Sequence, residues 1–327
     1  MRVGNFVKRA LLIVSVVVLV GFNIKVSAQE SDSNRGGVLV SPAIIERDVI
    51  PGEVVTLDIK IENLTDEDLQ LYLGTTDFVN NPNESGSPKF VDAPGPQSLS
   101  NWVRFDNDKI VVEAHTRLPV AVRLEVPEDV EPGSHYGAVV FSKEGSNVAG
   151  SPTVGVNYDI GTLIFANAAG QTLDKGNVLS FETDRTWYES PPVNFIVRYE
   201  NDGNVVSKPL GLIEIYNIAG VKEGVLQVNE IFGATLPGSI RKYEVVWSPD
   251  KWLGLIPRMG RYKAEGLLSF GTPETTVDLG PTYFWLLPIN AILFVGLVLF
   301  AIVILLWLLL KLYERRIIKK HGSKEAD

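Results

Sequence analysis

Residues Ala291 to Leu310 run for twenty positions without a charge or a strongly polar side chain. A helix rises about 1.5 Å per residue, so such a run covers about 30 Å, the hydrocarbon thickness of a bilayer. Tyr283 and Trp285 precede it, and Trp307 and Tyr313 lie at its far end, where amphipathic rings favour the membrane interface. Lys311, Arg315, Arg316, Lys319, Lys320 and Lys324 follow. Positive charge beside a span stays cytoplasmic, so residues 311–327 read as a basic inner tail and everything before Phe284 as lying outside. The expectation is a single-pass cell-membrane protein, with the lipid bilayer as partner of Ala291 to Leu310.

The other apolar run is shorter. Arg2, Lys8 and Arg9 precede Leu11 to Val20, and Val26-Ser27-Ala28 puts small residues before Gln29. This is the build of a secretory signal peptide over residues 1–28. An uncleaved anchor is the alternative, because the apolar run can be stretched to Ile24. Four basic residues fall in that segment and the tail carries +3, so the ectodomain holds −16 against the whole chain's −9. An acidic exported domain repels nucleic acid, and none is expected as a partner. The chain has no cysteine, which removes thiol nucleophiles and thiolate metal sites and fits a bacterial exported protein better than a disulfide-stapled one. The sequons at Asn63 and Asn83 then read as chance.

Between the ends, apolar residues alternate with period two. Val55, Leu57, Ile59 and Ile61 share one face, as do Leu118, Val120, Val122, Leu124 and Val126. Val193 to Tyr199 and Leu210 to Ile215 repeat the pattern. Gly and Pro punctuate the breaks, and no sustained 3.6-residue period intervenes. An internal repeat is visible. Strands end in Ile61-Glu62-Asn63 and in Tyr199-Glu200-Asn201, with Asn placed to close a turn through its own side chain. Later, each half shows a Pro-rich corner and then Gly-x-Tyr, at Tyr136 and Tyr262. A tyrosine there suggests the corner of immunoglobulin-like sandwiches, with its hydroxyl bonded to upstream backbone. The expected fold is all-β: two tandem immunoglobulin-like antiparallel β-sandwiches over 29–170 and 171–282. One transmembrane α-helix with its outer flank follows over 283–310.

Residues that could carry chemistry are few. His115 and His135 have no metal-ligand partner at close spacing, and His321 lies in the tail. No nucleophile elbow, zinc-protease helix or phosphate loop occurs, although carboxylate pairs can meet in space alone. No enzyme activity, metal or cofactor is expected. Asp77 to Glu84 has enough oxygen ligands for calcium but not the ordered spacing, and reads as a polar loop presented for binding. Among the aromatics, Trp247 closes an alternating strand and reads as core. Of Trp102–Arg104 and Val103–Phe105, one pair should face inward. Trp187, Tyr188 and Trp252 lie near turns and are the candidate ligand-binding residues, able to stack on sugar rings; a core or rim role is the plainer alternative.

The order Val40-Ser41-Pro42-Ala43, Pro51-Gly52-Glu53 before Ile59-Lys60-Ile61-Glu62-Asn63, Ser100-Asn101-Trp102-Val103, and Val126-Pro127 through Gly133-Ser134-His135-Tyr136-Gly137-Ala138 resembles the WxL-interacting protein family. The motif-level match covers Leu39 to Ser142, and the layout of leader, two sandwiches, span and basic tail extends it to the whole chain. The resemblance implies a cell-surface protein whose first domain binds peptidoglycan and whose second engages surface partners or host ligands. No contact residue carries over. The function expected is recognition of cell-wall glycan or a wall-associated surface protein. A structural stalk or assembly component, or a host-matrix adhesin, are the alternatives.

Overall fold

The computed structural model describes residues 37–93, 95–143, 160–253 and 256–321. The expected leader lies outside them. Ten strands come first: β1 (Val38–Ser41), β2 (Ile44–Val49), β3 (Val54–Asn63), β4 (Leu69–Asn80), β5 (Pro88–Val91), β6 (Val103–Arg104), β7 (Lys109–Val112), β8 (Arg117–Glu125), β9 (Gly133–Ser142) and β10 (Ile160–Ala168). One sheet has the order β1-β3-β8-β6. The other runs β2-β10-β9-β4-β5, with β7 also on β4. Strand periodicity decides the packing. Leu57, Ile59 and Ile61 of β3 and Val122 and Leu124 of β8 point inward onto Phe141 and Ile164 of the opposite sheet.

Eleven strands follow: β11 (Gly176–Thr183), β12 (Trp187–Tyr188), β13 (Val193–Asn201), β14 (Leu210–Tyr216), β15 (Lys222–Val228), β16 (Ile240–Trp247), β17 (Trp252–Leu253), β18 (Ile256–Pro257), β19 (Gly260–Phe270), β20 (Thr275–Asp278) and β21 (Thr282–Leu286). They form a sheet β11-β13-β16 and a sheet β12-β21-β19-β14-β15, with β20 on β19 and a separate β17–β18 hairpin. Phe195, Val197, Tyr199, Ile213, Ile215 and Phe284 fill the second core.

The internal repeat holds at the level of topology. In each half a first strand pairs antiparallel with the Asn-ended strand, β1 on β3 and β11 on β13. The next strand crosses to the opposite sheet and runs parallel to that half's last strand, β2 on β10 and β12 on β21. Asn63 and Asn201 are fully buried at matching places. The Asn63 amide donates to the carbonyls of Glu67, Val112 and Glu113 at 2.8–3.2 Å, while its Oδ1 accepts from the Thr65 amide at 2.9 Å. Asn201 donates to Val205 and Thr235 carbonyls at 2.8 and 2.9 Å and accepts from the Gly203 amide. Each side chain therefore closes its own turn and ties it to a distant strand.

Three expectations change. Trp102 ends one turn of 3-10 helix (Ser100–Trp102), so the alternation breaks and Trp102 and Val103 are both buried. Among the described residues the Tyr136 hydroxyl makes no bond to upstream backbone, and its ring packs with Phe78 and Phe165 of the first half and Leu236 of the second. The Tyr262 hydroxyl meets the Glu223 carboxylate at 3.2 Å, a side chain rather than backbone, while its ring stacks on Phe284. In both, the ring finds apolar cover, which outweighs a single hydroxyl bond.

The helix α1 (Ile289–His321) follows β21 after only Leu287 and Pro288. Its stretch Ile289–Tyr313 is 25 residues, long and apolar enough to cross a membrane, and none of it is buried against the rest of the chain. Tyr283 and Trp285 lie on the last strand of the sheet, so the segment that leads into the apolar helix is itself sheet.

Candidate functional site

The two halves meet along a mixed seam. Ser134 donates its amide to the Asn204 carbonyl at 2.9 Å, and the Val206 amide donates to Ser134 Oγ at 2.8 Å. Gly133 has φ +127°, and a Cβ there would stand 2.4 Å from the Asn204 oxygen, so close approach at that point needs glycine. The turn of the β4–β5 hairpin reaches the second half as well. Glu84, at φ +62°, makes a paired contact with Arg198 at 2.8 and 2.5 Å and lies 3.7 Å from Lys242. The Arg198 hydrogen bond, opposed by burial and helped by Arg198 and Lys242 charge, holds the Glu84 carboxyl below the usual range. The polar stretch is therefore docked through Glu84, while Asn83 and Ser85 on either side of it stay exposed. Asp77, at its start, is also committed to structure, accepting from Ser98 Oγ, Ser100 Oγ and the amides of Leu99 and Ser100 at 2.6–3.2 Å.

That docking shapes a groove. The Glu84 carbonyl accepts the Lys242 amide at 2.8 Å on the side of β16 away from β13. Main-chain groups alternate sides along a strand, so Glu244 and Val246 turn theirs the same way, and β16 is the last strand of its sheet. β15 is the edge of the opposite sheet. Between these edges lies an open groove of about 850 Å³. Asn83 and Ser85 bound one end. Val225 and Gln227 form one wall, and Glu244 and Val246 the other. At the mouth, the Asn229 amide donates to Pro209 and Gly233 carbonyls at 2.9 and 3.0 Å. This bonding holds a loop that leaves Ile231 84 % exposed and puts Phe232 at φ +53°, an uncommon conformation for an aromatic. Beneath the groove, burial pushes the Tyr243 phenol up to about 12, and its hydroxyl pairs with Thr235 at 2.6 Å.

A second cleft of about 490 Å³ lies between the halves and carries Glu46, Asp174, Lys208 and Glu274. Glu46 and Lys208 are ion-paired there. Among the described residues no group of three His, Cys, Asp or Glu side chains could hold a metal.

Of the candidate aromatics, Trp187 and Tyr188 lie on opposite faces of β12. Trp187 is 52 % exposed on β12. Tyr188, on the other face of that strand, is buried: its ring meets Phe284 edge-on, its hydroxyl donates to Asp184, and burial, then that bond, pushes it up to about 12. Adjacent strand residues point to opposite faces, so the pair could not both be presented. Trp252 opens β17 opposite Pro257, and its side chain lies outside the described residues. Instead, Trp187 is in register with Trp285, and Arg261 lies 4.0 Å over the Tyr283 ring nearby. The groove residues carried no signal in the sequence, since an edge strand reads like any other strand.

No family model matches the chain, and no curated protein matches it. Solved structures similar to it include the class 5 fimbriae chaperone CfaA at 13 % identity, covering 77 % of this chain and 100 % of that one, TM-score 0.36. A chain from a chaperone–tip adhesin complex of CFA/I fimbriae biogenesis matches at 12 % over 75 % and 99 %, TM-score 0.37. One from the CsuC–CsuE pre-assembly complex of Acinetobacter baumannii matches at 11 % over 74 % and 97 %, TM-score 0.34. At such TM-scores, function must be argued from this chain's own residues.

Proposed function

We propose that this chain is a membrane-anchored extracellular binding protein of the WxL-interacting type, built from two tandem immunoglobulin-like β-sandwiches. Its groove between β15 and β16 takes an extended segment of a wall-associated surface protein. The observation that carries the reading is the outward-facing main chain of Glu244 and Val246 inside that groove. An extended peptide can add there as a strand, with main-chain bonds supplying affinity and side-chain pockets specificity. The repeated strand order supports paired sandwiches, and the 25-residue apolar helix with its basic flank supports an outward ectodomain. Cell-wall glycan is the second reading, and the exposed Trp187 beside Trp285 is the observation that favours it.

Val246→Pro tests the choice. Proline fits an edge strand where its nitrogen faces away from the sheet, so it removes an outward donor and leaves the β13 ladder whole. The detergent-solubilised full chain is incubated with purified walls, either native or stripped of protein by protease. Retention that needs native walls and falls with Val246→Pro supports the groove. Equal retention on stripped walls, indifferent to that substitution, would instead favour glycan.

A further inference from the structure

The strand register fixes what surrounds the point where the chain leaves the sheet for α1. Gly260 pairs with Leu286, so the segment before Gly260 lies at that end. Tyr216 pairs with Lys263, itself opposite Tyr283, so the turn after β14 points the same way. Trp247 pairs with Val193, which places the β17–β18 hairpin there too. This end is apolar at its surface: Ile218 is 77 % exposed, and Val221, Met259, Trp187 and Trp285 are each close to half exposed or more.

Its charge also differs from the rest. Residues 184–192, 217–223, 247–261 and 282–290 hold five basic and four acidic side chains, in an ectodomain that is otherwise strongly acidic. The end is tied to the helix as well, since the Asn290 amide donates to the Glu189 carboxylate. With two residues between β21 and α1, Leu286 at this end lies within about 10 Å of the first residue of the helix, comparable to the depth of a headgroup layer.

We propose that this rim, Ile218, Val221 and Met259 with Trp187 and Trp285, is seated in the headgroup layer of the bilayer that α1 crosses. The second sheet pair then rests on the membrane and is not held off it by a free linker. Apolar side chains left in water at this rim are covered by the interface, aromatic rings favour that depth, and the near-neutral charge avoids the repulsion an acidic surface meets at anionic lipid. The inference rests on α1 spanning the bilayer.

The absence of cysteine makes the test direct. Full-length protein carrying one cysteine, Ile218→Cys or Met259→Cys, is labelled with an environment-sensitive fluorophore. It is then reconstituted in phosphatidylcholine vesicles containing lipid with a nitroxide near the headgroup. Glu274→Cys, at the opposite end of the same sheet, and Leu306→Cys, inside the span, are the references. The expected result is a blue shift and nitroxide quenching at 218 and 259, with neither at 274. Labels at 218 and 259 that behave like 274 while 306 is quenched would overturn the seating and leave the span intact. A blue shift without quenching would mean that protein covers the rim, and would also overturn it. An unquenched label at 306 would remove the span and the seating together.

Discussion

Asn63 and Asn201 show how much one side chain can hold. Each amide satisfies buried carbonyls on two segments, so Ala at either position leaves several acceptors unpaired. Asn63→Ala and Asn201→Ala should each cost about 2–4 kcal/mol in denaturant unfolding, whereas Asn83→Ala, exposed at the hairpin turn, should stay within about 0.5 kcal/mol. The tyrosines set the alkaline limit. Tyr188, Tyr199 and Tyr243 are each pushed up to about 12, burial being the largest cause in every case. An unfolded phenol ionises near pH 10, so the folded chain holds these protons longer. Their contribution is complete below about pH 10 and is lost as pH rises toward about 12. Unfolding midpoints followed over that window, beside phenolate absorbance, should fall together with its appearance.

At the scale of elements, the β4–β5 hairpin decides whether the groove has a closed end. Glu84→Gln removes the charge that meets Arg198, a pair only partly exposed to solvent. The expected loss is about 1 kcal/mol of stability, with faster hydrogen exchange at the Lys242 amide, whose acceptor is the Glu84 carbonyl. The pH dependence has the opposite sense to that of the tyrosines. The depressed Glu84 carboxyl contributes above the ordinary carboxylate range, and its contribution is lost as pH falls through its folded value. Gly86→Ala acts by shape. At φ +74°, and with Cβ 2.2 Å from the Arg241 guanidinium, it should detach the turn and raise proteolysis there without melting either core.

For the whole molecule, the proposed orientation rests on the apolar helix and its basic flank. In intact cells an impermeant thiol reagent should label Glu274→Cys and leave Lys324→Cys untouched. Neutralising Lys311, Arg315, Arg316, Lys319 and Lys320 together should weaken that preference, read as a growing fraction of labelled Lys324→Cys. Labelling of both sites alike in the unaltered flank would contradict the orientation.

The apolar run at Ala291–Leu310, the period-two strands and the two Asn turns could be read from residue order, because each depends on neighbours within a few positions: helix rise, strand pleat, and a side chain closing its own turn. Tyr136, Trp102 and the Asp77–Glu84 stretch could not. Their partners come from other strands, 114 residues away for Glu84 and Arg198. No local pattern states which strand will be an edge or which ring will be covered by the other half. A helix long and apolar enough to cross a membrane was therefore written in the chain itself, and the groove and the apolar rim exist only once the two halves are packed.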